Sequence, residues 1–547
     1  MNRLTDAALH LLLAGLVTLT MLASPLRRLL GSPDVDVWNH AWGPWWFADS
    51  FASGQLPWRT ALLGWPDGGV LWFIDPVLGV LGAPLVWILG AVGAYNAVVF
   101  GYVLFASWAG RRLARSLGAS AAASWVGATG LAGSAWMICE LHNGISEAVN
   151  IGPVALALAW SEDAVRAGSL RGWAKAGLGV GMAAVASPYL GLGVGIAVAV
   201  RGLPSIRQAW LGAVVSVMVA APPILALRTQ LHAEDAIVKH PDAMNEQLAL
   251  HNAVDPRTFV MPFGFRSVDL SAEGFEHSMY LGLVALLLAA LVVWRHRWWG
   301  LATVACLACA LGPYLFWGDG WLVTNGARLR LPWWALQKLA PGLAVTHPLR
   351  LAVPALAIIA GLAAVGADRL GRWRGAAAVA VLLDGLLISG APWPILTADA
   401  TPPPAHEQIR RAAGEPIQWG VLDLPTDAGM TMATSRYLFW QSTHRLPISY
   451  GPDARASTSA LLREPSFRVL AALCSRRPDE HARLNLSSGG PGGSHPSRLI
   501  RSKIRYIVLH HDIDPAVTEA LRAELTGSLG PGAEEAGATM WDLMADQ

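Results

Sequence analysis

Long apolar runs separated by short polar segments occupy the chain up to about residue 390. Most runs approach the roughly 20 residues that a helix needs to cross the hydrocarbon core of a bilayer. The pattern therefore predicts a membrane bundle of about eleven transmembrane helices. These predicted helices cover about residues 7–22, 95–109, 121–139, 145–160, 173–186, 190–200, 210–227, 278–294, 299–316, 351–367 and 376–389.

One further apolar run, residues 77–93, is interrupted by glycines and Pro84. In membrane proteins, Lys and Arg concentrate in the cytoplasmic loops. In this chain Arg111, Arg112 and Arg115 follow the predicted span at 95–109. With the amino terminus inside, that cluster is cytoplasmic only if the broken run does not cross. We therefore predict a re-entrant or interfacial helix at 77–93, with the long polar loops on the outer face.

The pattern changes at Ala391, where prolines introduce alternating soluble helix and strand signals. Residues 405–413, 461–475 and 514–527 are predicted helices, and 417–425 and 503–511 are predicted strands. We divide the chain into a transmembrane domain, 1–394, whose periplasmic loop is 31–76, and a periplasmic α/β domain, 395–547.

Composition supports a membrane protein. The 547 residues are 54% hydrophobic and only 14% charged, with a mean hydropathy of +0.41, whereas soluble proteins carry about 25% charged residues. A net charge of +2 and the lack of a basic tract exclude a nucleic-acid partner. The four cysteines indicate neither a disulfide framework nor a thiolate zinc site.

The loop from Ser32 to Pro76 is unusually rich in tryptophan and acidic residues. Indole rings favour the boundary between lipid and water, so this loop is predicted to lie on the bilayer surface. Its acids are Asp34, Asp36, Asp49, Asp67 and Asp75.

The predicted topology collects ionisable residues at the outer rim. Carboxylates and guanidinium groups together could deprotonate an acceptor hydroxyl and bind a phosphate leaving group. Asp34 and Asp36 are the catalytic candidates, and their oxygens would also suit a divalent cation, Mg²⁺ or Mn²⁺. The substrate-binding candidates are His40, Glu140, His142, Glu147, Arg266, His347 and Arg350.

Structural roles compete with these assignments. Asp34 could cap a helix, the two glutamates could simply mark the water boundary, and Arg350 could be a snorkelling anchor. At the level of the protein, the alternatives are a transporter or flippase of lipid-linked glycans and a non-catalytic membrane assembly protein. The scarcity of charges within the predicted spans weighs against a transporter.

Several short motifs resemble those of the GT-C superfamily of polytopic glycosyltransferases, which includes protein mannosyltransferases, aminoarabinose transferases and oligosaccharyltransferase subunits. They are PDVDVWNHAWGPWW, the turn at 65–68, AYN, LGPYL, the segment from Pro341 and Gly342 to Arg350, VLDLP, YLFWQSTHRLPISYG and IRYIVLHHD.

The resemblance implies an inverting, hexosyltransferase-like enzyme of the bacterial inner membrane. It would use a polyprenyl-phosphate sugar donor and a glycan, lipid or protein acceptor of the cell envelope. An aspartate of the first loop, Asp34 or Asp36, would act as general base, and Arg350 would bind the donor phosphate.

Overall fold

The computed structural model describes most of the chain and is predominantly helical. The described residues are 3–238, 242–261, 275–318, 320–339, 346–412, 418–426, 432–450, 461, 463–474 and 495–545.

The amino-terminal part is built from packed helices, most of which correspond to predicted apolar runs. Their bounds are Arg3–Val17, Val37–Ala52, Pro76–Leu117, Ser124–Ala132, Ala135–Asn143, Ser146–Val149, Gly152–Ala167, Leu170–Ala186, Pro188–Gly202, Ile206–His232, Asp242–His251, Leu283–Ala290, Arg297–Ala310, Pro332–Leu339, Val353–Ala367 and Arg374–Leu387.

Three helical stretches of the described residues are long and apolar enough to cross a membrane: Pro76–Leu117, Pro188–His232 and Pro348–Leu387. A fourth candidate is a pair of helices, Leu283–Ala290 and Val293–Ala310, bent by 76°. The prediction of a helical membrane fold agrees with these stretches, while the count of about eleven spans stays a prediction.

The stretch Pro76–Leu117 consists of two helices that meet at a kink. The kink is at Gly90, whose φ of +71° favours glycine. The separation of residues 77–93 from the predicted span at 95–109 therefore agrees with the structure, while the re-entrant or interfacial orientation of 77–93 stays a prediction.

Two other predicted helices are each divided. Residues 121–139 form Ser124–Ala132 and Ala135–Asn143, because Ser134 caps the second helix by accepting the Met137 N–H at 3.2 Å. Residues 145–160 form the short helix Ser146–Val149 and the longer Gly152–Ala167. The shorter elements create a sharp turn at 140–147.

The carboxyl-terminal part contains a four-stranded sheet within the described ranges. Its strands lie in the order Ala533–Glu535, Ala538–Asp542, Ile504–His510 and Gly420–Leu424, and the last two are parallel. The helices of this part are Pro404–Ala412, Arg436–His444, Pro465–Cys474 and Pro515–Leu529. Strands and helices therefore occur at the predicted positions. The remaining strands are Arg28–Leu30, Arg59–Thr60, Gly69–Val70, Phe316–Trp317, Gly320–Trp321, Val323–Thr324, Ala327–Arg328 and Thr397–Asp399.

The prediction that the tryptophan-rich loop lies on the bilayer surface is wrong for most of its indoles. Residues 37–52 form a helix, which we call the first-loop helix. It packs against Pro76–Leu117 on one side and Arg436–His444 on another. This position buries Trp38, Trp42, Trp45 and Trp46, and Trp65 is buried further along the loop, where its indole donates to the Lys503 carbonyl. Packing against protein, rather than lipid, accounts for their density.

Candidate active site

The start of the first-loop helix rests directly on the turn at 140–147. The Ser32 N–H donates to the His142 carbonyl at 2.7 Å. Gly144 ends the helix Ala135–Asn143 with a φ of +70°, and a Cβ built there would lie 2.4 Å from the Val37 Cα. Only glycine satisfies both the left-handed backbone and this close approach.

The two aspartates proposed from the sequence differ in their surroundings. Asp34 is exposed, and its charge acts on the buried His142 imidazole. Asp36 is half-buried and occupies the N-cap position of the first-loop helix, where its Oδ1 accepts a hydrogen bond from the side-chain amide of Asn39 at 3.0 Å and not from the backbone of the helix. The capping position thus falls to Asp36 and not to Asp34.

His40 lies one turn further along and leads into a buried polar group that we call the first-loop cluster. Its members are His40, Asp75, Ser146, Glu147 and Arg350, all of them less than a tenth exposed. Ser146 is its centre, because the hydroxyl donates to the Asp75 Oδ2 at 2.7 Å and lies 2.8 Å from the His40 Nδ1. The opposite nitrogen of His40, Nε2, is 3.5 Å from the Glu147 Oε2.

Arg350 supplies the positive charge of the first-loop cluster. It belongs to the 3₁₀ turn Pro348–Ala352, and its Nη1 donates to the Glu147 Oε1 at 2.8 Å. The guanidinium also lies 5.4 Å from the centre of the Tyr189 ring. The Glu147 Oε1 is the one acceptor to which Arg350 donates a hydrogen bond among the described residues, and the Arg350 side chain is 7% exposed. Donors therefore remain for an anionic ligand.

The other predicted residues lie at different distances from this cluster. Glu140 is buried, and its Oε1 lies 3.8 Å from the His277 Nδ1. The charge of Glu140 also acts on Arg350. His347 packs against the ring of Tyr189, with 5.5 Å between the ring centres. Arg266, together with Pro341 and Gly342, lies outside the described residues.

Asp75 is a candidate that the sequence analysis missed. It was counted among the acids of the loop but given no role. Its Oδ1 caps the long helix by accepting the Leu78 N–H at 2.9 Å, while its Oδ2 joins the first-loop cluster. An aspartate directly before a proline and an apolar run is the sequence signal that would have indicated the cap.

The arrangement places the first-loop aspartates, one exposed and one half-buried, in the segment that leads into a buried ion pair. The same segment carries His40, which lies next to Glu147, and Glu147 in turn pairs with Arg350. Glu147 and Arg350 are far apart in sequence. A buried ion pair inside an apolar bundle costs desolvation energy, so such groups are typically functional in membrane proteins.

Comparisons with known structures reveal the same fold. The arabinofuranosyltransferase AftD from Mycobacteria matches 100% of the chain with a TM-score of 0.51 and 15% sequence identity. The oligosaccharyltransferase of Archaeoglobus fulgidus, tethered with an acceptor peptide, matches 97% of the chain with a TM-score of 0.51 and 10% identity, over 72% of its own length. ArnT from Cupriavidus metallidurans matches 100% of the chain and 99% of its own, with a TM-score of 0.49 and 14% identity.

The chain therefore has the GT-C fold, and the predicted resemblance is confirmed at that level. It spans only 40% of the length of the AftD structure. No family model and no curated protein matches the sequence.

Proposed function

We propose that this protein is a membrane glycosyltransferase that moves a sugar from a polyprenyl-phosphate donor to a cell-envelope acceptor. One observation carries the proposal: the exposed carboxylate of Asp34 and the buried guanidinium of Arg350 both interact with the turn at 140–147. The fold adds support, because the structures it resembles include an arabinofuranosyltransferase and an oligosaccharyltransferase.

In the proposed reaction, Asp34 or Asp36 accepts the proton of an acceptor hydroxyl as general base. The acceptor oxygen attacks the anomeric carbon, and the bond from that carbon to the phosphate oxygen breaks. The electron pair leaves with the polyprenyl phosphate, whose charge Arg350 stabilises. A single displacement of this kind inverts the anomeric configuration.

The proposed substrate-binding residues surround these two ends. His40 and Glu147 orient Arg350, while Glu140, His142, Arg266 and His347 contact the sugar or the acceptor. A hexose is the proposed sugar.

We further propose a divalent cation, Mg²⁺ or Mn²⁺, at Asp34 and Asp36. Two carboxylates present the hard oxygen ligands that these ions prefer. Within the described ranges neither aspartate belongs to a group of three candidate metal ligands. Water and the donor phosphate would have to supply the remaining ligands.

The proposed location is the bacterial inner membrane, with the carboxyl-terminal domain in the periplasm. Acceptors on that side would be glycans, lipids or proteins of the envelope, and membrane lipids surround the helical part.

The experiment measures transfer of radiolabelled sugar from polyprenyl-phosphate mannose and polyprenyl-phosphate arabinofuranose in membranes that contain the protein. Asp34→Asn, Asp36→Asn and the double variant are compared with the wild type, with and without EDTA followed by Mg²⁺ or Mn²⁺. Loss of the general base is expected to lower transfer by about 10²–10⁴-fold.

Asp67→Asn is the matched control, because this acid lies in the same loop but in the turn at 65–68, where its backbone N–H donates to the Gly64 carbonyl at 3.1 Å. Undiminished transfer in both single variants and the double variant would refute the catalytic assignment. Donor binding without transfer by the wild type would instead favour a transporter or an assembly protein.

A further inference from the structure

Two histidines and an aspartate meet at one end of the carboxyl-terminal sheet, in a group that we call the carboxyl-terminal cluster. Asp423 lies on the strand Gly420–Leu424 and is paired with Val508 of the parallel neighbour. His510 lies two residues after Val508, so it faces the same side of the sheet. His406 joins from the helix Pro404–Ala412.

Both histidines lie within hydrogen-bonding distance of the aspartate. The His406 Nε2 lies 3.1 Å and the His510 Nε2 2.8 Å from the same Oδ1 of Asp423. All three side chains are 0% exposed. Their candidate ligand atoms lie within 4.8 Å of one another.

Hydrogen bonds inside the cluster do not satisfy its polar atoms. Both imidazoles bond to Oδ1, while the Asp423 Oδ2 and the Nδ1 atoms of both histidines are buried without a partner in the described part of the chain. Buried polar atoms are almost always paired, so the Asp423 Oδ2, on the carboxylate that faces the two imidazoles, calls for a further partner.

The chemistry of the cluster suits a metal ion. The ion-pair partners of Asp423 among the described residues are the imidazoles of His406 and His510. A carboxylate oxygen and two imidazole nitrogens are ligands that a zinc-class dication accepts in proteins.

We propose that the carboxyl-terminal cluster binds a transition-metal dication of the Zn²⁺ class through His406, Asp423 and His510. A tetrahedral site with bonds of about 2.0–2.1 Å needs ligand atoms roughly 3.3 Å apart. The two Nε2–Oδ1 distances, 3.1 Å and 2.8 Å, lie close to this spacing, and every pair of candidate ligand atoms lies within 4.8 Å. The metal supplies positive charge beside the buried carboxylate and binds it. Nothing in this site depends on the proposed glycosyl transfer.

His444 stands beside the cluster, with its ring centre 5.2 Å from that of His406, but it is not a ligand. Its Nδ1 accepts the Leu446 N–H at 3.1 Å, so the proton of the neutral ring is on Nε2. His444 therefore offers a matched control: an equally buried imidazole in the same pocket that does not bind the metal.

The metal would also brace the contact between the sheet and the first loop. Trp440 lies against both His510 and His406, with ring centres 5.1 Å and 5.5 Å away. The Trp440 indole also lies beside Trp38 of the first-loop helix, with 6.4 Å between the ring centres.

The test measures metal in the full-length protein, purified in detergent from cells grown with added Zn²⁺ and freed of any affinity tag. About one equivalent of Zn²⁺ per chain is expected in the wild type and in His444→Gln. His406→Gln, His510→Gln and Asp423→Asn are expected to hold less than a tenth of that amount, with elution on gel filtration reporting on folding.

A spectroscopic measurement on the wild type keeps the proposal testable if these variants misfold. Co²⁺ loaded after stripping with phenanthroline is expected to give the visible bands of a tetrahedral site without thiolate charge transfer, because the proposed ligands are two imidazoles and a carboxylate. A wild type that neither retains Zn²⁺ nor takes up Co²⁺, or His406→Gln and His510→Gln variants that retain Zn²⁺ at the wild-type level, would overturn the proposal.

Discussion

The first-loop cluster and the carboxyl-terminal cluster both bury histidine against a carboxylate, but they balance charge differently. In the first-loop cluster Arg350 bonds to Glu147 at 2.8 Å, and Ser146 bridges His40 and Asp75. In the carboxyl-terminal cluster two imidazoles share one oxygen of Asp423.

This difference shows how a buried carboxylate is made tolerable. A fixed guanidinium can compensate the charge permanently, and the first-loop cluster then needs no added ion. Where only imidazoles face the carboxylate, compensation must come from a proton or a metal ion. The first arrangement suits a site that meets an anionic substrate, and the second suits a structural site.

The largest expected effect is the removal of the fixed cation. Arg350→Met leaves Glu147 buried without its partner and is expected to destabilise the protein by about 3–5 kcal/mol. The midpoint of thermal unfolding in detergent measures the loss. The double variant Arg350→Met/Glu147→Gln is expected to recover most of it, because the orphaned charge is gone. No recovery would mean that packing of the guanidinium, rather than its charge, stabilises the site.

Gly144→Ala tests whether the backbone contact below Asp34 and Asp36 maintains the first-loop cluster. The added Cβ meets Val37 and forces a residue with a φ of +70° into strain, so a loss of about 2–4 kcal/mol is expected. A misplaced loop is also expected to lower transfer by about 100-fold.

Gly168→Ala is the matched control. Gly168 also has a left-handed backbone, but a Cβ there meets nothing within 4 Å. Gly168→Ala is therefore expected to lower the free energy of unfolding by only about 1 kcal/mol. Equal losses in the two variants would show that backbone strain alone, and not the contact with Val37, explains the effect of Gly144→Ala.

The surroundings of the carboxyl-terminal cluster predict acid sensitivity. Burial lowers the pKa of His444 to about 3, whereas an unfolded histidine titrates near 6.5. Below about pH 6.5 His444 is protonated in the unfolded chain but stays neutral in the folded protein, so the free energy of unfolding decreases as the pH falls. The loss from His444 is about 2 kcal/mol at pH 5.

Thermal unfolding at pH 7 and pH 5 measures this effect in the wild type and in His444→Gln. The variant is expected to lose less stability on acidification, because its side chain does not titrate. An identical drop in both proteins would exclude His444 as the source.

The smallest effect concerns the contact that joins the two regions. The Trp42 indole donates to the Gln441 Oε1 at 2.9 Å, across the interface of the first-loop helix and Arg436–His444. Trp42→Phe is expected to cost about 1–2 kcal/mol, because a buried acceptor loses its donor. Trp294→Phe, at an indole that is 87% exposed, is expected to leave the unfolding midpoint unchanged.

Local patterns predicted the elements that depend on near neighbours. Apolar runs indicated most helices, and VLDLP and IRYIVLHH indicated two strands, because side-chain periodicity reflects the faces that an element buries. The same reasoning divided helices less consistently: the break near Gly90 was predicted, but the cap at Ser134, which divides residues 121–139, was missed.

The candidate site could be predicted only in part. Ionisable residues at loop ends are visible in a sequence, so His40, Glu147 and Arg350 were found individually. Their pairing was not predictable, since Glu147 and Arg350 are more than two hundred residues apart. The role of Asp75 was not predicted, because one oxygen caps a helix while the other accepts a hydrogen bond from Ser146, which is distant in sequence.

The sequence by itself determined that this protein is a helical membrane protein with an α/β part at its carboxyl end, because hydropathy and periodicity are properties of neighbouring residues. Tertiary structure alone decided that the tryptophans of the first loop are buried in protein, and that His406, Asp423 and His510 meet. Contacts between distant segments depend on how helices and strands pack together, which no local pattern records.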